Sequence, residues 1–405
     1  MKLSKKPSKT ELLDRILNRG VDQLIDRQHL TKALASGTKL RVKFGIDPTS
    51  PDIHLGHAVV LRKLRDFQDL GHKIILIIGD FTAKVGDPSG VSKERPMLTD
   101  QEIRSNMKGY LGQAGKIIDV KKAEVRYNSK WLSKNNLEGI LELTKAATIN
   151  QISERADFRG RIKAGQKVSL LEGLYSLLQG FDSVNIKADV ELGGTDQLLN
   201  LLMGRQVQRH YGMKEQDILT VPLIEGTDGK EKMSKSKGNY IALTEQPKDM
   251  FGKIMSVPDK LISKYFELCT DVDTKALKEI KTALQKKGTN PMEYKLRLAQ
   301  EIVALYYNEK DANKAKEEFL SVFSKKNLPK DILTKALSSK SYELTDLLCE
   351  TSMASSKSDA RRLAEQGGVR INGEKVTNAN TKIKLGKETL LLQVGKQKFL
   401  RVKGK

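Results

Sequence analysis

The most constraining stretch of the chain runs from Leu40 to Ile78. Leu40 to Ile46 alternates apolar and polar residues and ends at Asp47-Pro48, the pattern of a strand running into a loop. A helix is predicted from about His57 to Leu70, because Val60, Leu61, Leu64 and Phe67 recur on one face and Gly71 stands beyond the end. Lys73 to Ile78 is a continuous apolar run of the kind buried in a parallel sheet, closed by Gly79-Asp80. Strand, crossover helix and strand within about 40 residues make one βαβ unit. Such a unit commits the chain to an α/β sheet, whose ligands sit at the carboxyl ends of the strands. Asp47-Pro48-Thr49, Gly79-Asp80 and the turn Gly86-Asp87-Pro88-Ser89-Gly90 all fall on that side.

Residues 100–185 read mainly as helices, followed by a strand near Ala188 to Leu192, a glycine turn, and a helix from about Asp196 to Val207. Residues 220–243 read as a loop with two weak strands, Pro247 to about Phe323 as an all-α unit, and Lys325 to Ser339 as a linker. The last 65 of the 405 residues read as a compact α+β module. It has a short helix from Leu344 to Cys349, a basic helix from Ser358 to Gln366, and a hairpin over Val369 to Val376 turning at Asn372-Gly373.

Composition narrows the function classes. An uninterrupted apolar run such as Ile74 to Ile78 is far short of the roughly 20 residues of a membrane span. Two cysteines, Cys269 and Cys349, make neither a disulfide framework nor a four-thiolate metal site. The N-terminus, basic but without an apolar core and followed by Glu11 and Asp14, reads as neither signal peptide nor presequence, so a cytoplasmic protein is expected. A formal charge of +22 points to a polyanionic partner, nucleic acid first among them. The last 65 residues carry 13 Lys and Arg against 7 Asp and Glu, about twice the positive density of the rest.

Two motifs carry chemistry. Asp52-Ile53-His54-Leu55-Gly56-His57 lies where the first strand hands over to its helix. Free amides, the helix dipole, a glycine that permits close approach and two donor imidazoles suit a polyphosphate there. Lys232-Met233-Ser234-Lys235-Ser236 lies in a loop rich in Gly and Lys, including Gly226, Gly229, Lys230 and Gly238. Lysines on such a loop suit the charge that builds on a leaving pyrophosphate. Together the motifs resemble the two hallmarks of class I aminoacyl-tRNA synthetases, with Leu55 where the family form has Ile. Tyr175, Gln179 and Asp182 follow the spacing Y-x-x-x-Q-x-x-D, and Gly193-Gly194-Thr195-Asp196-Gln197 is a glycine turn opening a helix. With Phe44-Gly45-Ile46-Asp47-Pro48-Thr49 and the Gly86–Gly90 turn, this set resembles the bacterial tyrosyl-tRNA synthetases from about residue 35 to the end.

The resemblance implies an α/β, Rossmann-like parallel-sheet catalytic domain with a helical insertion over 1–225. It further implies a lysine-motif loop over 226–246, an α-helical anticodon-recognition domain over 247–325, and a small C-terminal α+β S-four-like RNA-binding domain over 341–405. Asp182 would accept the substrate phenol; Tyr175, Gln179 and Asp87 would hold the α-ammonium group, and Gln197 would lie near the carboxylate. Gly193 and Asp196 would lie at the ATP ribose. Gly45, Asp47, Thr49, His54, Gly56 and His57 would surround the phosphates, with Lys232, Ser234, Lys235 and Ser236 closing over them and Arg95 on a nearby loop. The reaction implied is attack of the tyrosine carboxylate on the α-phosphorus of ATP, then transfer of tyrosine to the terminal adenosine of tRNA(Tyr). Mg²⁺ would accompany ATP; no structural metal, no membrane, and a homodimer are expected, with the apolar helical stretch 137–152 in the contact.

Two departures from the family stand out. Many members carry a tyrosine where this chain has Lys43, which would either donate to the phenol or point away. Val91-Ser92 replaces a common lysine pair. In the tail, Lys357, Arg361, Arg362 and Arg370 would face RNA phosphates. A tryptophanyl enzyme would lack both Asp182 at this spacing and the tail. A silent RNA-binding paralogue would have lost one of the two motifs. A nucleotidyltransferase with a non-tRNA product would have no role for the helical unit and basic tail.

Overall fold

The computed structural model describes residues 7–89, 97–324, 332–338, 341–386, 388–395 and 398–404. Gly90, Val91, Ser92 and Arg95 lie outside the described residues. The chain divides into two compact units, Met1–Asn308 and Glu309–Lys405.

The first unit is built on six strands: β1 (Gln23–Ile25), β2 (Arg41–Ile46), β3 (Lys73–Ile78), β4 (Glu124–Tyr127), β5 (Val190–Gly194) and β6 (Asp217–Val221). Their order is β1-β6-β5-β2-β3-β4, all parallel except the antiparallel edge strand β1. The chain builds outward from β2 through β3 to β4, then returns to β5 on the other side of β2. That reversal leaves a crevice at the carboxyl ends of β2 and β5, where open parallel sheets bind ligands. The apolar run of β3 and the mixed strand β6 are buried on both faces, as a covered parallel sheet requires.

In this unit the structure differs from the sequence reading at three places. Glu124–Tyr127 lies within the stretch read as helices, yet it pairs with β3. Asp217–Val221, whose end was read as the start of a loop, is a buried strand. The glycine pair expected as a turn after Leu192 is the end of β5, and its backbone stays in register with Thr220 and Val221. Helices Pro247–Ser256, Ile262–Cys269, Thr274–Gln285 and Pro291–Tyr306 follow the sheet and bury Phe251, Ile262, Phe266, Leu298 and Ile302.

The second unit has helix Glu309–Ser324 and seven further strands. These are β7 (Thr334–Leu337), β8 (Ser341–Glu343), β9 (Val369–Ile371), β10 (Glu374–Lys375), β11 (Lys382–Lys384), β12 (Leu390–Val394) and β13 (Lys398–Gly404). Five of them form a sheet in the order β10-β9-β12-β13-β7. β7 lies inside the stretch read as a linker but pairs in parallel with β13, so the module begins earlier than residue 341. Helices Leu344–Glu350 and Lys357–Glu365 pack Leu344, Leu347, Leu348, Ala360 and Ala364 against Val369, Leu392 and Val402. The β9–β10 hairpin turns as expected, with Asn372 and Gly373 both at positive φ (51° and 90°).

Candidate active site

A cavity of about 1070 Å³ opens at the crevice beside β2 and β5. Every residue expected at the ATP and amino-acid sites lines it except Lys43.

At the phosphate end, helix Leu55–Asp69 starts earlier than predicted, because His54 caps it. The Gly56 N–H donates to His54 Nδ1 at 3.1 Å, and the His54 N–H donates to His57 Nδ1 at 3.3 Å. With both Nδ1 atoms accepting, each neutral ring carries its proton on Nε2. The rings stack with centroids 3.9 Å apart. Burial, reinforced by His57 and Lys232, holds His54 down to about 2; burial and Lys232 hold His57 down to about 4. Both are neutral N–H donors at physiological pH.

The lysine motif is fastened beside them by backbone. Leu55 N–H donates to the Ile241 carbonyl at 3.0 Å, Leu243 N–H donates to the Ile53 carbonyl at 2.9 Å, and His54 bridges Ala242. Met233 is buried, and Ser234 N–H is held by Asn239 Oδ1 at 2.9 Å. Lys232 reaches Asp196 at 2.8 Å and Lys235 reaches Asp52 at 3.7 Å. Gly45 leaves open space, since a Cβ there would meet nothing within 4 Å.

The other end is acidic. Asp47 accepts from Thr82 Oγ1 at 2.7 Å and from the Tyr175 hydroxyl at 2.9 Å. Burial, aided by the neighbouring Asp87 and Asp182, pushes its carboxyl up to about 7. Asp87 accepts from Gln197 Nε2 at 2.8 Å and from Asn200 Nδ2 at 3.3 Å. The buried Arg155 braces this group by donating to Asn200 Oδ1 at 2.5 Å and to Ser89 Oγ at 3.2 Å.

Asp182, on helix Leu170–Ile186, is buried with Trp131 Nε1 donating to one oxygen at 2.8 Å and Asn128 Nδ2 to the other at 3.2 Å. Burial raises its carboxyl to about 6, against the pull of Lys43 and these donors. Asn128, Trp131, Arg155 and Asn200 escaped the sequence reading. Asn128 and Trp131 follow β4, the strand that went unrecognised, although Trp131 is the only tryptophan of the chain.

Lys43 is a correction. It is fully buried, points away from the cavity, and pairs with Glu191 at 2.7 Å. Its ammonium is therefore not a direct phenol donor. In the second unit, Lys357, Arg361, Arg362 and Arg370 are all exposed. Lys357 pairs with Asp346 and Arg362 with Asp359, so neither charge is wholly free.

A crevice that joins two imidazole donors and a lysine loop at one end to an acidic pocket at the other is the site of a class I tRNA synthetase. Residues 35–324 match the family model for class I tRNA synthetases of the W and Y type, and residues 344–388 match the S4 domain. The chain is 48% identical to the tyrosine–tRNA ligase of Thermotoga maritima over 390 residues, covering 96% of this chain and 97% of the relative. It is 46% identical to tyrosine–tRNA ligase 2 of Clostridium acetobutylicum at the same coverage. The chain belongs to the tyrosine–tRNA ligase family. Among solved structures, the Archaeoglobus fulgidus tyrosyl-tRNA synthetase complexed with L-tyrosine shares the fold, with a TM-score of 0.61 and 23% identity. That match covers 76% of this chain and 100% of the other.

Proposed function

We propose that this chain activates L-tyrosine with ATP and transfers it to the 3′-terminal adenosine of tRNA(Tyr). The observation that carries the choice of amino acid is Asp182, a buried carboxylate aimed into the cavity with each oxygen steadied by one donor. A phenol donating to it completes the set, whereas a bare phenyl ring leaves a buried polar group short of a partner. A site built to pair a substrate hydroxyl rejects the analogue that lacks it for this reason.

In the first step a tyrosine carboxylate oxygen attacks the α-phosphorus and pyrophosphate leaves, giving tyrosyl-adenylate. Tyr175, Gln179 and Asp87 would hold the ammonium group, Gln197 the carboxylate, and Gly193 and Asp196 the ribose. The Nε2–H groups of His54 and His57, with Thr49, Ser234 and Ser236, would donate to phosphate oxygens, and Lys232 and Lys235 would neutralise charge on the leaving group. Positioning and charge stabilisation supply the acceleration, with little proton transfer. In the second step the tRNA ribose hydroxyl attacks the acyl carbon and AMP leaves.

Mg²⁺ would travel with the triphosphate, held by phosphate oxygens. Among the described residues no group of three His, Cys, Asp or Glu side chains is placed to hold a metal. Among them, too, no helix is long and apolar enough to cross a membrane. A cytoplasmic location is part of the proposal. So are an anticodon-recognition role for the helices after Pro247 and an RNA-binding role for the basic face carrying Arg361 and Arg370. A homodimer is supported by exposed apolar side chains on neighbouring helices: Leu137, Leu141, Ile149 and Leu170 are 56–77% exposed. Pyrophosphate exchange with each amino acid tests the reading; exchange with tryptophan and not tyrosine would refute it.

A further inference from the structure

The buried pair Lys43–Glu191 lies outside the cavity lining, and of the groups assigned to substrate it bonds only Gln179, yet it is costly to keep. The two residues face each other in register on neighbouring parallel strands β2 and β5, with side chains 0% and 1% exposed. Burying two charges is repaid only by close geometry and further hydrogen bonds, and apolar residues would usually pack such strands at least as well.

The further bonds run largely to one place. Lys43 Nζ donates to the Gln179 carbonyl at 2.9 Å and to Ser183 Oγ at 2.8 Å. Glu191 accepts from Gln179 Nε2 at 3.1 Å, from Ser183 Oγ at 3.2 Å, and from Gln216 Nε2. Gln179 and Ser183 are one helical turn apart and bracket Asp182 on the same helix. Outside Gln216, the pair is spent on the turn of helix that presents Asp182 to the cavity.

We propose that Lys43 and Glu191 form a positioning pair that sets the charge and aim of Asp182, and with it the preference for a para-hydroxylated ring over a bare phenyl ring. The proposal rests on Asp182 being the phenol partner. After burial, which disfavours the Asp182 carboxylate, Lys43 is the foremost influence and favours it, while Glu191 opposes it. The other groups facing Asp182 are the donors Trp131 and Asn128, Asp47 beyond β2, and Tyr175 on its own helix. Asp47 titrates at about 7, near the same window. Its contribution cancels in a ratio of two amino acids that share the same ammonium and carboxylate.

The experiment is the ratio of kcat/KM for tyrosine to that for phenylalanine in pyrophosphate exchange, measured from pH 5 to 8.5 on the full chain. In the parent the ratio falls as pH drops through the Asp182 midpoint. Lys43→Met removes the favourable charge and should raise that midpoint by about one pH unit or more; Glu191→Gln removes the opposing charge and should lower it comparably. A purely structural pair would not produce shifts of opposite sign. If Lys43→Met fails to fold, Glu191→Gln keeps the shape and most hydrogen-bonding groups and decides alone: a midpoint that stays or rises overturns the proposal. Asp182→Asn separates the two levels. A parental ratio and midpoint in Asp182→Asn would sink the phenol assignment itself. A flat profile there, with an unmoved midpoint in Glu191→Gln, would sink only the role of the pair.

Discussion

Replacing Gly56 by alanine tests whether the orientation of His54, and not merely its presence, serves the reaction. A Cβ on Gly56 would stand 2.9 Å from His54 Cε1 and 3.0 Å from His54 Nδ1, closer than the ring tolerates. The ring is already stacked on His57 at 3.9 Å, so it must turn out of line and release the Gly56 N–H. Losing that cap costs about 1 kcal/mol. Alanine in place of glycine in a helix returns up to about 1 kcal/mol. The two nearly cancel, and the melting temperature should stay within about 4 °C of the parent. Catalysis has no such compensation. A misdirected donor at developing charge costs on the order of 10²–10³ in kcat, or about 3–4 kcal/mol. Calorimetry and pyrophosphate exchange should therefore show an intact fold and a kcat for adenylate formation about 100-fold lower, with the tyrosine KM little changed. A kcat within about threefold of the parent would refute the argument that the cap aims the imidazole.

Glutamate in place of Leu141 and Ile149, 56% and 77% exposed, should shift the chain to monomers in sedimentation velocity; an unchanged dimer would place the contact elsewhere. Truncation should be made before Thr334 because β7 belongs to the terminal sheet. It should leave adenylate formation near parental while tRNA charging falls about tenfold or more, and unchanged charging would refute an RNA role for the module. Asp47 supplies a pH test. Its pKa of about 7 lies above the ordinary value of 3.8, so the folded protein holds a proton there that the unfolded chain does not. The ammonium group would be held by Tyr175, whose hydroxyl donates to Asp47, and by the neighbouring Asp87; a cation arriving there favours the Asp47 carboxylate, so tyrosine binding near pH 7 should release about half a proton, declining to none above about pH 8. Calorimetry in buffers of different ionisation enthalpy reads that number, and proton uptake instead of release would contradict the assignment.

The βαβ unit was legible because Lys73–Ile78 is an uninterrupted apolar run, a pattern that fits little but a covered parallel strand. That put Asp47 and Asp87 on the ligand side of the sheet. β4 was not legible: four residues at an edge, Glu-Val-Arg-Tyr, none fully buried, carry too little periodicity. Missing it hid Asn128 and Trp131, whose importance follows from standing just beyond a strand end. Helix Leu55–Asp69 starts two residues ahead of the sequence expectation because its cap is an imidazole nitrogen, outside the usual Ser, Thr, Asp and Asn set. Lys43 was ambiguous for a deeper reason. Its direction is fixed by Glu191, nearly 150 residues away, and only the β2–β5 register makes the two neighbours.

Charge along the cavity is arranged so that the same groups do not serve two masters at once. If His54 and His57 were cationic, they would compete with the substrate ammonium for Asp47 and Asp87. As neutral Nε2–H donors they would serve phosphate oxygens and leave the acidic end free. Lys232 stands against Asp196 at 2.8 Å, the carboxylate assigned to the ribose. With the roles proposed above, binding ATP would call for an exchange: Lys232 would leave Asp196 for phosphate, and Asp196 would be released to accept from ribose hydroxyls. Neither half is favourable alone, since each would strand a charge that is now paired. A nucleotide would supply both replacement partners together, which would make closure of the lysine loop conditional on a ligand that carries ribose and phosphate in one molecule.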